Sequence, residues 1–408
     1  MKKSLFGVRG GRPGPKAATA LVLAASMVLL TFTCAAGGGD VPDEEAGLPA
    51  AALVDSSIPC ESAILIEQTT GQIFFEKNAD QRMAPASITK VMTLLLVMEA
   101  LDSGKIKLTD MVTCSPHANS MGGTQIWFEV GEQMTVDEPL RATAIASAND
   151  AAVALGEFIA GSEESFVQLM NQRAAELGMT NTTFKNATGL DAEGHLTTAR
   201  DIAVMSAELL RHPDITKYTT IWMDSLRDGK TQLVNTNKLV RFYEGTTGLK
   251  TGTTSDAGYC LSASATRNGL SLIAVVLGAK NSDNRFGSAR GLLEFGFANY
   301  AAQPVPEPDP PLSPVKVLGG VRQEVPVEGR PPEVMILEKG AGKELKQTVE
   351  IASEVSAPVE AGQKVGTVRL MREGVLVCEY DVVAADSVEK MTLFSAFDIL
   401  WRETVRMG

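Results

Sequence analysis

Three short motifs contain the side chains of this protein that are best suited to nucleophilic chemistry. They are Ser87-Ile-Thr-Lys90, Ser147-Ala-Asn149 and Lys250-Thr-Gly252, which follow one another in the order S-x-x-K, S-x-N and K-T-G. A serine hydroxyl attacks a carbonyl carbon when a base removes its proton, and a neutral lysine amine can be that base. The second motif supplies polar side chains that relay a proton, and the third supplies a cation that binds a carboxylate. The set therefore predicts acyl transfer from an amide close to a carboxylate.

Each motif alone is weak evidence, because similar motifs occur elsewhere in the chain. S-x-x-K recurs at Ser313-Pro-Val-Lys316 and at Ser387-Val-Glu-Lys390, and a literal S-D-N occurs at Ser282-Asp-Asn284. The first lies in a proline-rich stretch, the second lies near the C-terminus, and the third follows K-T-G instead of preceding it. Only the set that begins at Ser87 combines the expected order with suitable predicted elements.

The residues after Ser87 predict a buried helix. Residues 88–101 are apolar almost all round, and Gly104 closes the segment. Ser87 and Lys90 then share one face of the first turn, so the hydroxyl lies at the positive end of the helix dipole. Burial and a second cation nearby would lower the pKa of Lys90 and leave a neutral amine. The alternative roles are an N-cap serine and a surface lysine.

The S-x-N motif is predicted to lie in a turn between two helices. Thr135-Val-Asp-Glu138 is a capping-box pattern that opens a helix running through Ala146. Asp150 can cap the next helix, residues 151–160. In the turn between them, Ser147 and Asn149 are free to face a cleft. The alternative is an ordinary turn with capping side chains.

The K-T-G motif is predicted to lie on a strand of an antiparallel sheet. Residues 258–266 alternate as a strand, Asn268-Gly269 is a favoured hairpin turn, and residues 270–277 form a buried strand. An earlier hairpin is predicted at residues 62–77. The glycine of K-T-G allows close approach of a substrate backbone, and a strand of this kind can pair with an extended peptide.

Beyond these motifs, residues from about 55 to 300 resemble the serine D-alanyl-D-alanine carboxypeptidases, the low-molecular-mass penicillin-binding proteins. The resemblance extends over the segments PASITKVMTLLLVMEAL, IASANDAAVALGE, NTTFKNATGLDAEGHLTTARDIA, GLKTGTTSDAGYC and IAVVLGAKNSDNRF. It implies an α/β (α+β) penicillin-binding fold, with an antiparallel sheet flanked by helices, then a small all-β domain and a C-terminal amphipathic helix. It also implies removal of the terminal D-alanine from peptidoglycan stem peptides through an acyl-enzyme, with β-lactam antibiotics as covalent inhibitors.

The resemblance assigns a role to each motif residue. Ser87 would form the acyl-enzyme and Lys90 would be its general base, while Ser147 would relay the proton to the leaving group. Backbone N–H groups of Ser87 and Thr253 would form the oxyanion hole. The substrate-binding set would be Asn149, Lys250, Thr251, Gly252, Thr253 and Arg285.

The sequence departs from some members of the family at two positions. Thr253 follows K-T-G where some members have histidine, and Thr236 lies in Asn235-Thr-Asn-Lys-Leu239 where some have arginine. These departures concern substrate preference. Other functions left open are a class A-like β-lactamase, a D-Ala-linked endopeptidase, and a catalytically weak wall-binding or penicillin-sensing protein. No E-x-x-L-N stretch that would supply a deacylating glutamate occurs between residues 150 and 250.

Composition limits the remaining possibilities. The formal net charge is −12, which argues against a nucleic-acid partner because phosphate binding needs a basic face. The three histidines are scattered, and no metal or other cofactor is predicted. Cysteines 60, 114, 260 and 378 are predicted to be small buried side chains. The sequence does not determine the oligomeric state.

The chain is predicted to divide into six segments. Residues 1–36 read as a signal peptide, with a charged start and an apolar run, so the protein is expected to be exported to the outer face of the cytoplasmic membrane or the cell wall. The following segments are a flexible lead-in (37–55), the catalytic domain (56–302), a proline-rich linker (303–314), a β-sandwich (315–386) and an amphipathic helix (387–408).

The C-terminal segment is predicted to contact a membrane surface. Its bulky apolar residues recur at helical spacing and can form one face: Leu393, Phe394, Phe397, Leu400, Trp401 and Val405. An amphipathic helix with aromatic residues can lie in a membrane interface, and this one is too short and too charged to span. The alternative is a helix that packs on the β-sandwich.

Overall fold

The computed structural model describes residues 58–340 and 344–406. The predicted signal peptide (1–36) and lead-in (37–55) lie outside the described residues. Within the described ranges, no helix has both the length and the hydrophobicity needed to cross a membrane.

A five-stranded antiparallel sheet forms the centre of the catalytic region. Its strands lie in the spatial order Ile73–Lys77, Ser62–Glu67, Leu270–Ala279, Gly258–Arg267 and Thr246–Thr254. Both predicted hairpins are therefore present, and Asn268 and Gly269 have the positive φ angles, 49° and 79°, that their two-residue turn needs. The K-T-G strand, Thr246–Thr254, lies at one edge of the sheet. This edge position leaves one side of the strand without a sheet neighbour.

The two faces of the sheet pack against different layers. Because side chains alternate along a strand, Ile64 and Ile66 pack into the core that includes the helix Ala199–Leu210. Leu65 faces the other way, into the core that includes the helix Ser282–Asn299. Complete burial of each large aliphatic side chain contributes about 1.5–3 kcal/mol relative to exposure. The sheet is thus fixed between helical layers on both faces.

The catalytic region also contains shorter helices and small hairpins outside the central sheet. The described helices, with their bounds, are Lys90–Asp102, Pro116–Asn119, Asp137–Arg141, Asn149–Ala160, Glu163–Glu176, Ala199–Leu210, Thr216–Thr219, Leu239–Phe242 and Ser282–Asn299. Two 3₁₀ turns occur at Ala86–Thr89 and Pro213–Ile215. Two small hairpins pair Met111–Thr113 with Gln133–Thr135 and Met223–Leu226 with Thr231–Val234.

The predicted helix through Ala146 is present in two parts. An α-helix covers Asp137–Arg141, and a wider π-helical turn covers Ala142–Ala146. The predicted capping box is present only in part: the Glu138 carboxylate accepts the backbone N–H and the hydroxyl of Thr135, but Val136 is the N-cap and no side chain caps the helix. The segment ends where Ser147 adopts a left-handed conformation, with φ 67°.

The β region follows the catalytic region and is built from short strands. One sheet has the order Glu324–Val325, Val315–Leu318, Glu354–Ser356, and a second has the order Val327–Gly329, Val375–Ala384, Lys364–Arg372, Lys346–Ile351. Their buried apolar side chains form a separate core. The predicted fold, a penicillin-binding catalytic domain followed by an all-β domain, is confirmed.

Two predicted boundaries differ from the structure. Gln303 and Pro304, placed at the start of the linker, are the last residues of a strand, Tyr300–Pro304, which pairs with Val334–Glu338 of the β region. At the other end, Val388 and Lys390, placed in the terminal helix, form bridges to the β region. The helix itself begins at Leu393 and ends at Arg406. In both segments, pairing with the β region moves the boundary from the position that composition predicted.

Candidate active site

The S-x-x-K motif lies where the 3₁₀ turn Ala86–Thr89 passes into the helix Lys90–Asp102. The ammonium nitrogen Nζ of Lys90 lies 3.1 Å from Oγ of Ser87. The same nitrogen donates to Oδ1 of Asn149 at 2.6 Å and to the backbone carbonyl oxygen of Thr188 at 2.7 Å. One lysine therefore joins the first motif, the second motif and a loop that the sequence motifs do not include.

Lys90 is completely buried. Burial is the main reason why the pKa of its amine lies well below the ordinary value, because an apolar environment disfavours the charged form. Repulsion from Lys250 lowers this pKa further, whereas the negative charge of Asp150 raises it. These are the conditions that the sequence analysis expected for a lysine that acts as a neutral base.

Asn149 is held by the backbone of a glycine-containing loop. Its Nδ2 donates to the carbonyl oxygen of Gly122 at 2.7 Å, and its backbone N–H donates to the carbonyl oxygen of Thr124, also at 2.7 Å. A side chain at Gly123 would place its Cβ 2.8 Å from Asn149 Nδ2. The loop can approach Asn149 this closely only because residue 123 is glycine.

Ser147 ends the π-helical turn in the left-handed region, which L-residues other than glycine, asparagine and aspartate rarely adopt. The residue is 6% exposed, so it is almost buried. Its two neighbours in the motif are arranged differently, since Ala148 is extended and Asn149 begins the helix Asn149–Ala160. The backbone turns sharply here, and the turn places Ser147 and Asn149 at the N-terminal end of the helix Asn149–Ala160.

The predicted capping role of Asp150 is wrong. The helix begins at Asn149, two residues earlier than expected, so Asp150 lies inside its first turn. The carboxylate instead accepts backbone N–H groups of the loop residues Ile126 and Phe128. It also accepts the N–H of the next residue, Ala151, so tertiary contacts to the loop are added to a local contact inside the first turn.

The K-T-G motif lies in the middle of its strand, with Lys250 opposite Ser262. Lys250 is also fully buried, and its Nζ donates to the backbone oxygen of Thr251 at 3.0 Å. Burial, and then repulsion from Arg285, lower the pKa of Lys250 to about 7. Oγ1 of Thr251 donates to Oγ1 of Thr236 at 2.7 Å. The strand therefore carries a cation whose charge is readily lost.

Gly252 lies against the backbone beside Ser87. A Cβ on Gly252 would be 3.0 Å from the Ala86 Cβ, from the Pro85 oxygen and from the Ser87 nitrogen. The sequence predicts that this glycine allows close approach of a substrate backbone. The contact shows that the glycine also allows the K-T-G strand to approach the turn that carries the nucleophile.

Arg285 lies in the first turns of the helix Ser282–Asn299 and is 8% exposed. Its Nη1 donates to Oγ1 of Thr253 at 3.1 Å and to the carbonyl oxygen of Gly252 at 3.3 Å. Burial lowers the pKa of the guanidinium. Its buried Nε has no hydrogen-bond partner among the described residues. The structure thus brings Arg285 to the K-T-G strand, as the sequence analysis expected.

Two further residues, Thr188 and Gly189, were not singled out from the sequence. Thr188 supplies a carbonyl to Lys90. Thr236, noted only as a departure from some members of the family, pairs with Thr251. Gly189 has a φ of 85°, and a Cβ there would lie 1.8 Å from the Ala86 oxygen. The sequence offers one signal for this loop, the Ala-Thr-Gly-Leu segment within a stretch that resembles the family. Backbone contacts such as that of Thr188 leave no signal in residue type.

The catalytic region matches a family model. The model is described as D-alanyl-D-alanine carboxypeptidase, peptidase S11, and it matches residues 49–281. The chain belongs to the D-alanyl-D-alanine carboxypeptidase family. A second model, described as the C-terminal domain of penicillin-binding protein 5, matches residues 302–390. Residues 282–301, which include Arg285, lie between the two matched ranges.

Individual relatives agree with this family membership. The D-alanyl-D-alanine carboxypeptidase DacF of Bacillus subtilis is 46% identical over 334 residues, which are 81% of this chain and 86% of DacF. The structure of penicillin-binding protein 5 from Haemophilus influenzae matches with a TM-score of 0.74 at 32% identity, over 82% of this chain and 98% of the other. Penicillin-binding protein D2 from Listeria monocytogenes in an ampicillin-bound form matches with a TM-score of 0.54 at 32% identity, over 59% and 98%.

Proposed function

We propose that this member of the carboxypeptidase family removes the terminal D-alanine from peptidoglycan stem peptides through an acyl-enzyme on Ser87. The observation that carries the proposal is the contact of 3.1 Å between Ser87 Oγ and the buried amine of Lys90. Neutralising an amine by burial supplies a general base where the hydroxyl needs one. The enzyme needs no cofactor for this reaction.

Acylation begins when Lys90 takes the proton of Ser87. The serine oxygen then attacks the carbonyl carbon of the penultimate D-alanine, and the negative charge that develops lies near the backbone N–H groups of Ser87 and Thr253. An oxyanion hole of this kind lowers the barrier because its dipoles are already oriented. The Ser87 turn also lies at the N-terminal end of the helix Lys90–Asp102, where a negative charge is favoured.

The C–N bond then breaks, and the leaving D-alanine amine takes a proton. Ser147 relays this proton from Lys90, and Lys250 supports the relay electrostatically. Asn149 orients the peptide, since its side chain already lies between Lys90 and the loop at Gly122. Water attacks the acyl-enzyme next, the ester bond breaks, and Ser87 recovers its proton as the shortened peptide leaves.

The free carboxylate of the terminal D-alanine is bound by the K-T-G strand. The Thr251 hydroxyl, which donates to Thr236 in the free site, turns and donates its hydrogen bond to this carboxylate, and Lys250 and Arg285 supply positive charge. A carboxylate beside Lys250 would raise the pKa of this lysine from about 7, because an opposite charge favours the protonated form. Substrate binding would therefore complete the positive charge of the site.

The proposal is tested by the release of D-alanine from a diacyl peptide that ends in D-Ala-D-Ala. Wild type is expected to turn over, and Ser87→Ala is expected to release none above background. Incubation with penicillin should give one covalent adduct by intact-protein mass spectrometry, mapped to the peptide that contains Ser87. Ser313→Ala, in an exposed S-x-x-K outside the site, is the matched control and should behave like wild type.

Three outcomes would contradict the proposal. An adduct that survives in Ser87→Ala would remove this residue from the chemistry. An adduct without any release of D-alanine from the free peptide would leave an endopeptidase or a penicillin-sensing protein as the function. A hydrolysis of penicillin as fast as peptide turnover would indicate a β-lactamase.

The protein is further proposed to be exported and to contact the outer face of the cytoplasmic membrane through its last helix. In the helix Leu393–Arg406, the exposed fractions are 91% for Leu393, 89% for Phe394, 69% for Phe397 and 63% for Trp401. The side chains of Leu400 and Val405 lie outside the described residues. An exposed apolar face with aromatic residues suits insertion into a membrane interface.

Truncation after Lys390 tests the membrane contact. The cut preserves the bridge of Val388 to Val359 and the hydrogen bond from Val321 to Glu389, and it removes only the bond from the Met391 N–H to Gly319, so the remaining chain should fold and keep its carboxypeptidase activity. The truncated mature protein is expected in the soluble fraction, whereas the full-length protein is expected in the membrane fraction. If the truncated protein remains with membranes after confirmed signal cleavage, the helix is not the anchor.

A further inference from the structure

Asp150 is a buried carboxylate that the proposed reaction does not use. It is fully buried in the first turn of the helix Asn149–Ala160. Its two oxygens accept backbone N–H groups at 3.1 Å from Ile126, at 3.0 Å from Phe128 and at 2.9 Å from Ala151. Bonds from N–H groups to a charged acceptor are stronger than neutral ones. A single carboxylate therefore fixes the loop that contains Ile126 and Phe128 to the start of this helix.

The same loop holds Asn149 from the other side. Just before Ile126, the carbonyl oxygens of Gly122 and Thr124 accept the side-chain and backbone N–H groups of Asn149. Asn149 in turn accepts a hydrogen bond from Lys90, which lies beside Ser87. An unbroken series of contacts thus leads from Asp150 through the loop to the nucleophile.

We propose that Asp150 is a positioning residue for acylation, which fixes the loop of residues 122–128 against Asn149 and acts on Lys90 through its charge. This inference rests on the proposed function of Ser87 and Lys90. Two roles are combined in one residue. The hydrogen bonds set the place of Asn149, and the negative charge keeps Lys90 a stronger base than burial alone would leave it.

The charged groups that face Lys90 come from two elements. Lys250 on the K-T-G strand lowers the pKa of Lys90, in the same direction as burial, and Asp150 on the neighbouring helix raises it. The third neighbour, the Thr188 carbonyl, carries no charge. The negative charge of Asp150 also contributes to raising the pKa of Arg227 and of Cys114. Loss of the Asp150 charge therefore moves the pKa of Lys90 further down.

The two roles give two distinct effects in Asp150→Asn. The acylation rate at its high-pH plateau is expected to fall at least about tenfold, because general-base help contributes about 10²–10⁴-fold when base and serine are correctly placed. The acidic limb of the pH profile is expected to move to lower pH, because a less basic Lys90 stays neutral there. A residue that only stabilised the fold would lower the plateau without moving the limb.

Asp150→Glu separates charge from geometry. It keeps the negative charge but lengthens the side chain, so the plateau should fall while the acidic limb stays where it is in wild type. Asp201→Asn is the matched control. Asp201 is another buried aspartate in the first turn of a helix, and it accepts the backbone N–H of Asn181 and the hydroxyl of Thr182. It should leave both the plateau and the limb unchanged.

The experiment measures the rate of acylation by a chromogenic β-lactam from pH 5 to pH 10 for the four full-length proteins. The fraction that becomes acylated at saturation counts the folded sites in each sample. The proposal is supported if the limb moves in Asp150→Asn and not in Asp150→Glu or Asp201→Asn. It is overturned if Asp150→Asn acylates like wild type, or if its limb does not move. Failure of wild type to acylate would instead contradict the proposed function.

Discussion

In the catalytic region, the two lysines of the S-x-x-K and K-T-G motifs are fully buried, whereas many charged side chains of the β region lie in solvent as ion pairs. Lys90 and Lys250 are completely buried, and burial lowers the pKa of both. In the β region, Lys364 pairs with Asp381 at 2.5 Å while about half of each side chain stays exposed. Burial of the two lysines lowers the stability of the fold and makes their amines reactive. The exposed ion pairs have little effect on stability or reactivity.

The difference shows what burial does to a charge. A buried lysine without a close carboxylate is driven toward its neutral form, which is what a general base requires. An exposed lysine with a partner stays charged, and the pair contributes little because water screens it. Substitutions of buried and exposed charged side chains are therefore expected to have different consequences, and four substitutions test this difference.

The largest effect is expected for Lys90→Arg. The guanidinium keeps the positive charge but stays protonated at accessible pH, so it cannot remove the serine proton. Acylation by a β-lactam should fall at least about 10²-fold, the usual contribution of a general base. Stopped-flow or mass-spectrometric acylation rates check this. A rate close to that of wild type would mean that the lysine acts only through its charge.

A smaller effect is expected for Arg285→Ala with peptide substrates. A charge-assisted bond to the terminal carboxylate contributes about 1.5–3 kcal/mol. Amidation of the substrate terminus should therefore lower kcat/KM strongly in wild type and only slightly in Arg285→Ala. Equal losses in both proteins would show that Arg285 stabilises Thr253 and the strand without contacting substrate.

Lys250→Met tests the cost of a buried cation. Replacement of a buried charge by an apolar side chain of similar size is often stabilising by about 1–4 kcal/mol. The variant should have a higher free energy of unfolding than wild type at pH 7, measured by urea denaturation, although it should lose activity.

The advantage of Lys250→Met should shrink as the pH rises. The pKa of Lys250 is about 7 in the folded protein and near 10.5 when unperturbed. Between these values the unfolded state binds more protons, so wild-type stability rises with pH through this window. Below about pH 7 the full penalty of burying the charge is present. A difference between the two proteins that does not change from pH 7 to pH 10 would contradict this account.

The smallest effect is expected for Lys364→Met in the β region. The exposed pair with Asp381 should contribute less than about 1 kcal/mol, and the variant should keep wild-type carboxypeptidase activity. Added salt should reduce even this difference, because it screens exposed pairs more than buried charges. A destabilisation as large as a buried-core substitution would break the contrast between the two regions.

Local patterns predicted most of the elements that position the site. The hairpin at Asn268-Gly269, the buried helix after Ser87 and the helical segment before Ser147 follow from turn residues, apolar pattern and a capping-box pattern, whereas the π-helical turn Ala142–Ala146 was not predicted. The same patterns failed where a residue had both a local and a distant partner. Asp150 is a good capping residue by type, but in the fold it lies inside the first turn of its helix and accepts backbone N–H groups of a distant loop. Sequence spacing cannot choose between them.

The amino-acid sequence by itself determined which groups can react and in what order they occur along the chain. Serine, lysine and asparagine at the three motifs have fixed chemistry, and their helices and strands follow from short-range pattern. Only the tertiary structure decided that Lys90 touches Ser87, Asn149 and the Thr188 carbonyl at once. Burial of the Lys90 and Lys250 side chains is likewise a result of the tertiary structure. Burial belongs to the whole packed fold, and the pKa of a lysine depends on its surroundings more than on its neighbours in sequence.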